Sequence, residues 1–187
     1  MKIMDKHYTV LPKKEKCLML LEQHGIVGEV LEHSKLVNKI AVFLANSLIA
    51  KTELIDLQLT DRASLLHDIG KNEDSQQHHA IVGAKILDEL GFPKLAMAVK
   101  HHKGDFILNN KFNGWEELLV YYADVRVLGT DLLSLDERIS RLKQMKPETV
   151  NELNNILIKQ KSLESQIFQH LEFSPDDLKE KIANIAE

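Results

Sequence analysis

Apolar positions recur along most of this chain at intervals of three and four, a pattern that predicts a succession of helices. From Ile26 to Ala50 the positions Val30, Val37, Ile40, Ala41, Leu44 and Leu48 form one continuous stripe, the strongest helical signal in the sequence. Leu65, Leu66 and Ile69 carry another stripe into Gly70, a residue suited to the left-handed position after a helix, with Thr52 or Thr60 available as N-cap. A helix is therefore expected to end at the Asp68 to Lys71 turn. Further helices are expected at about Gln76 to Leu90, Lys94 to His102, Trp115 to Leu128, Ser134 to Lys143 and Glu148 to Leu171. Ser174, Pro175 and Asp177 stand at the N-cap, first-turn and N3 positions of a last helix. No stretch alternates with period two, and no repeat or linker interrupts the pattern. The expectation is an all-α, single-domain helical bundle over residues 1–130, with its core at about 25–130. A helical C-terminal extension over 131–187 is expected to pack on the same domain.

Composition narrows the class without naming a chemistry. A chain of 187 residues, 44% hydrophobic and 28% charged, buries roughly 70% of its unfolded surface and builds a core without staples. Its single cysteine, Cys17, excludes an intrachain disulfide. A net charge of -4 gives no electrostatic footprint for duplex nucleic acid. The longest apolar run, Ile40 to Ala50, is broken by Asn46 and Ser47 and falls short of the ~20 residues needed to span a bilayer. Lys2, Asp5, Lys6 and His7 near the start leave no apolar leader segment, so a cytoplasmic location is the expectation.

Several polar residues sit on the inward stripes. His33 shares the face of Val30 and Val37; His79 precedes Val82, Gly83 and Ile86; His102 follows Ala98 and Val99. Asp124 lies among Val120, Tyr121, Val127 and Leu128, where an unpaired carboxylate is costly. His67 and Asp68 are adjacent and, near a helix end, can converge on one point. Taken singly, each inward histidine reads as a hydrogen-bonded core residue, and Asp124 as the partner of Arg126, Arg62 or a lysine. Taken together, four histidines and two carboxylates are the ligand set of Fe, Mn, Ni, Zn or Co. That is more than one tetrahedral ion needs and suits a pair of ions bridged by a carboxylate.

These residues resemble the HD-domain metal-dependent phosphohydrolases of the HDIG type. The resemblance covers about residues 25–130, through "LEHSKLV", "LLHDIGK", "HHAIVGAKIL", "VKHHKGD" and "YYADVRV". It implies His33, His67, Asp68 and Asp124 as ligands of a first ion, with Asp68 bridging to a second held by His79 and His102. His101 is implied as a further ligand or as a neighbour supporting one. Cofactors are then one or two divalent ions drawn from Fe, Mn, Ni, Zn, Co or Mg.

The implied reaction is attack by a metal-activated water on a phosphoester or phosphoanhydride of a nucleotide or related metabolite. Asp68 would have the bridging role and Lys71 would neutralise charge on the phosphoryl group. Arg126 is a second substrate-binding candidate, and Arg62 a third. Lys71 also reads as a lysine satisfying the carbonyls of a helix end. The segments Asn72 to His78 and Lys103 to Gly114 are expected to wall the pocket, with Phe106 and Phe112 stacking a base or packing beneath a loop. His78, His7, His24 and His170 are expected in solvent. "KGDFILNNKFNG" after His102 lacks the Gly-Tyr-Pro element of cyclic-dinucleotide phosphodiesterases, and "IGKNEDSQQ" lacks the glutamate pattern of the small deoxynucleotidases. Alternative readings are a dinuclear-iron oxygenase of the same fold and a non-catalytic metal- or nucleotide-binding sensor. The stripe Val150, Leu153, Leu157, Leu163 and Ile167 is expected as core packing or a dimer seam, for a monomer or homodimer.

Overall fold

The computed structural model describes residues 10–51, 53–73, 75–109 and 111–185. His7 and Thr52, assigned above to solvent and to a cap, lie outside them. The order is α1 (Lys14–Gln23), α2 (Gly28–Ile49), α3 (Leu57–Leu66), α4 (His79–Glu89), α5 (Pro93–Lys100), α6 (Phe106–Asn109) and α7 (Trp115–Val125). A minimal hairpin of β1 (Val127–Leu128) and β2 (Asp131–Leu132) follows, then α8 (Leu135–Met145), α9 (Val150–Phe168) and α10 (Leu178–Ala183). The fold is all-α, as the spacing predicts.

Helix α2 is the axis of the molecule. Val37, Ile40, Ala41, Leu44 and Leu48, the predicted stripe, are fully buried, and α2 packs against both α3 and α7. One apolar cluster joins α2 and α7 to Leu163, Ile167 and Phe168 of α9 and to Leu178 and Ile182 of α10. A second joins α1, α3, α4 and α5 around Leu21, Leu66, Ile69, Leu87 and Val99. Of the α9 stripe, Leu163 and Ile167 are buried while Val150, Leu153 and Leu157 are half-covered.

The differences from the sequence expectation have local causes. Helices α1, which buries Cys17, Leu20 and Leu21, and α6, a single turn of four residues, are additional to the predicted elements. Asp56 caps α3, its side chain accepting from Leu59 N at 2.9 Å, whereas Thr60 is buried inside the helix and donates back to Asp56 O. The helix expected to reach Leu128 stops at Val125, because Gly129 at φ +62° turns the chain into the hairpin. Gly70 is not left-handed. An added Cβ there would meet Gly83 N and His79 O at 2.5 Å, so the glycine permits close approach of the turn after α3 to α4. The capping box of Ser174 and Asp177 is present, on a 3-10 turn that leads into α10.

Candidate metal centre

Five elements deliver the polar cluster. His33 comes from the second turn of α2, and His67 and Asp68 from the turn that ends α3. His79 opens α4, His102 follows α5, and Asp124 is in the last turn of α7. The close contact of Gly70 with Gly83 brings the first residue of α4 against the turn, so that His79 Nε2 lies 3.1 Å from Asp68 Oδ1. Outside the cluster this region is apolar, with Ile69, Leu66, Val99 and Val120 all buried.

The ligand atoms fall into two groups. His33 Nε2, His67 Nε2 and Asp124 Oδ1 form one, separated by 3.2, 3.3 and 3.6 Å. Asp68 Oδ1, His79 Nε2 and His102 Nε2 form the other, separated by 3.0, 3.1 and 3.8 Å. The second oxygen of Asp68, Oδ2, faces back to His33 and His67 at 3.7 and 3.6 Å. One carboxylate therefore lies between two donor groups. For metal–ligand bonds of about 2.1 Å, neighbouring ligands are separated by roughly 3.0 to 3.4 Å, which matches the shorter edges seen.

Proton placement shows how this set could hold a cation. His33 Nδ1 lies 2.8 Å from Gly129 O, His67 Nδ1 2.8 Å from Ser64 O, and His102 Nδ1 2.6 Å from Val99 O. A carbonyl only accepts, so each Nδ1 carries a proton, and wherever the ring is neutral its Nε2 turns a bare lone pair inward. The lone pairs of His33 and His67 then face each other beside two carboxylates, an arrangement that a shared cation resolves.

The electrostatics differ between the two groups. Burial pushes His102 down to about 3, with His67 adding to the effect, which keeps its ligand nitrogen unprotonated at neutral pH. Burial opposes charge on His67, yet the carboxylates of Asp68 and Asp124 outweigh it and raise its pKa. Burial likewise opposes ionisation of Asp68 and Asp124, but the facing histidines hold both below the usual carboxylate range. The donor set thus fits a pair of divalent ions by its chemistry and its spacing.

The remaining sequence-predicted residues separate. Lys71 stays at the site, its Nζ 2.7 Å from Asp68 Oδ2 and partly exposed at the mouth of a cleft of about 290 Å³. His101 is outside both groups. Its ring stacks on Phe106 at 4.4 Å and its Nδ1 meets Glu117 Oε2 at 2.8 Å, the helix phase having given the inward place to His102. Arg126 does not reach the cleft. It is buried, bonds to Tyr122 OH, donates to Leu133 O at 2.6 Å and pairs with Glu164 at 3.1 Å, tying α7 to α9. Arg62 is occupied by Asp61 and Pro12 O.

His78 is no solvated loop residue. It caps α4, accepting from Ala80 N at 3.2 Å, and packs 4.1 Å from the His79 ring, while burial lowers it to about 4. His24 meets Glu73 at 2.7 Å and His170 lies edge-on to Trp115. Phe106 and Phe112 pack with His101 and Tyr121. Sequence reasoning missed Glu29, Gly129 and Arg138, which line the cleft with the metal-site residues. Only the glycine in "LGTD" carried a readable signal, that of a turn.

Comparison with known proteins follows this geometry. The family model described as HD domain matches residues 30–186. An uncharacterised protein of Methanocaldococcus jannaschii is 32% identical over 144 residues, covering 70% of this chain and 84% of that protein. A tRNA (cytidine(56)-2'-O)-methyltransferase of Thermoplasma volcanium is 28% identical, over 74% of this chain and 44% of its own length. Ribonuclease Y of Clostridium kluyveri is 36% identical over 98 residues, 51% of this chain and 17% of the enzyme. The chain thus spans less than half of either named enzyme. No solved structure matches. Among the described residues no helix is long and apolar enough to cross a membrane. With the family match running from the first histidine stripe through α10, the chain belongs to the HD-domain family, a superfamily of metal-dependent phosphohydrolases.

Proposed function

We propose that this protein is a metal-dependent phosphohydrolase acting on a phosphoester or phosphoanhydride of a nucleotide or related phosphorylated metabolite. The observation that carries the reading is the sharing of Asp68 between two His/Asp groups at the floor of a cleft. His33, His67 and Asp124 would hold one ion, His79 and His102 the other, with Asp68 common to both. Divalent ions bound there supply Lewis acidity and a water that ionises near neutral pH.

The chain's own groups do the rest. Backbone carbonyls of Gly129, Ser64 and Val99 hold three imidazoles in the tautomer that leaves Nε2 free. Lys71, adjoining Asp68 at the cleft mouth, offers an ammonium to a phosphoryl group and to the charge that develops on it. The closed packing of Leu66, Ile69 and Val99 behind the cluster keeps bulk water from its rear, where the field of these groups is least screened.

The test is metal content by plasma mass spectrometry on protein purified without chelator and without oxygen, with Asp68→Ala beside it. About two ions per chain, lost in the variant, is the expected result. Phosphate release from a panel of nucleotides and sugar phosphates, and chain cleavage of short RNA phosphodiesters, each run with and without dioxygen, then assign the reaction. RNA belongs in the panel because two of the relatives bear the names of RNA enzymes. Wild-type protein that holds no metal and takes up none from Fe, Mn, Ni or Zn would overturn the reading.

A further inference from the structure

Beside the metal cleft lies a second chamber of about 260 Å³, walled by His78 and Lys103 on one side and by α8 and α9 on the other. Arg138 of α8 lines both spaces, and His78 of the chamber packs against His79 of the metal centre at 4.1 Å. Sites for small organic ligands occupy roughly 300–1,000 Å³. The cleft, at about 290 Å³, and the chamber each fall just short, and they share Arg138 as a common wall.

The lining is specific in its chemistry. Arg138 donates through Nε to Val127 O at 3.4 Å, and no acidic side chain among the described residues pairs with its guanidinium. Leu153 and Ile156 of α9 give the chamber an apolar wall. Gln160 completes it, and its orientation is determined. Tyr121 OH spends its only hydrogen on Gly104 O at 2.8 Å, so it accepts from Gln160 Nε2 at 3.0 Å, which turns Gln160 Oε1 away. That oxygen is the one buried side-chain acceptor for which the described residues supply no donor. A buried acceptor without a donor is costly and calls for a partner.

Resting on the phosphohydrolase reading, we propose that this chamber is the specificity subsite: it holds a flat heterocycle bearing an N–H donor, as in a nucleobase, while Arg138 grips the phosphate that leads from it into the metal cleft. The apolar wall of Leu153 and Ile156 takes the face of the ring, and the carbonyl of Gln160 takes its N–H. A guanidinium is the group suited to a phosphate at such a junction, because its planar fork meets two oxygens at once. The elements missing from a bare His/Asp centre are thus supplied by α8 and α9.

The experiment titrates the full-length protein, as isolated, with AMP, GMP, CMP and ribose 5-phosphate by calorimetry, and follows phosphate release from the same compounds. At least one nucleotide is expected to bind roughly tenfold or more tightly than ribose 5-phosphate. Leu153→Trp fills the chamber from its half-exposed edge, and Gln160→Leu removes the acceptor. Each is expected to reduce that preference to less than about threefold, with circular dichroism confirming the fold. Arg138→Ala is expected to weaken nucleotide and sugar phosphate alike, by about tenfold.

Equal binding of nucleotide and ribose 5-phosphate, no measurable binding by any nucleotide, or a preference that survives both Leu153→Trp and Gln160→Leu overturns the subsite. The preference with no hydrolysis of any compound, here or in the wider panel above, leaves the subsite standing and removes the hydrolase reading. Release from all compounds without a preference does the reverse.

Discussion

Replacing Gly70 by alanine tests how the metal centre is assembled. The glycine does not need a left-handed conformation, so the cost is purely steric. A Cβ at this position would lie 2.5 Å from both Gly83 N and His79 O, where ordinary contact begins at 3.4 Å, so about 0.9 Å must be recovered. Both obstructing atoms are backbone of α4, and no side chain can rotate out of the way. Overpacking of this kind costs about 1–3 kcal/mol. With a urea dependence of about 2 kcal/mol/M, the unfolding midpoint should fall by roughly 0.5–1.5 M.

The second effect falls on the ligands. His79 is the first residue of α4, and metal–ligand distances tolerate only about 0.2 Å, so the Asp68, His79 and His102 group should lose its ion. His33, His67 and Asp124 lie on other elements and should keep theirs, which takes the metal content from two ions per chain to one. Gly104→Ala, with nothing within 4 Å of the added atom, is the control and should leave both readouts unchanged. A Gly70→Ala protein with the wild-type midpoint would refute the packing argument. A lowered midpoint with both ions retained would show that the Gly70–Gly83 contact does not position His79.

Further expectations follow from other parts of the molecule. Arg126→Met should destabilise the fold by about 3 kcal/mol in urea unfolding, because Glu164 loses its cation in a largely buried pair and keeps only the Tyr122 hydroxyl, while the folded variant binds metal as wild type does. Burial pushes the Cys17 thiol up to about 11 from 9.0, so native protein at pH 8 should resist iodoacetamide over the time in which urea-unfolded protein reacts completely. Because the folded pKa lies above the unfolded one, this group's contribution to stability is present below pH 9 and lost as the pH rises toward 11; unfolding of Cys17→Ala across that window should show a shallower alkaline decline. Manganese at about 100 times its Kd should stabilise wild type by about 2.7 kcal/mol, read as a rise in Tm of roughly 5–10 °C, and should leave Asp68→Ala nearly unmoved.

The legible parts of this protein are those whose signal is local. The α2 stripe could be read because burial on one side of a long helix imposes a spacing that few other structures produce, and His33 was conspicuous for sharing it. Asp124 was readable for the same reason, as a carboxylate among Val120, Tyr121 and Val127. The choice between His101 and His102 also followed from phase, since Ala98 and Val99 are buried and Met97 is exposed. Phase failed where a turn intervened. The hairpin at Val127 to Leu132 rests on two paired residues per strand and one glycine at φ +62°, too little to break the apparent period of α7. Gly70 was assigned to a cap because glycine after a stripe usually serves there; its actual constraint, the backbone of α4, lies thirteen residues on and has no trace in its neighbours.

Cationic side chains were the hardest to place, for a physical reason. A periodic pattern assigns the face from which a side chain departs, and an arginine reaches far enough to leave that face altogether. Arg126 sits two residues from Asp124 in sequence, yet its guanidinium is carried to Glu164 and the Leu133 carbonyl, where it serves the docking of α9. Arg138 looks like one charge among many on a solvent-facing helix, and it lines the cleft only because the hairpin turns α8 back toward the metal centre. The His and Asp side chains of the candidate centre are short, so their positions follow from the helices that bear them. What surrounds a substrate beyond the ligands depends on how α8 and α9 return to the bundle, and that return is decided by Arg126, Tyr122 and Glu164, contacts that no spacing in the sequence records.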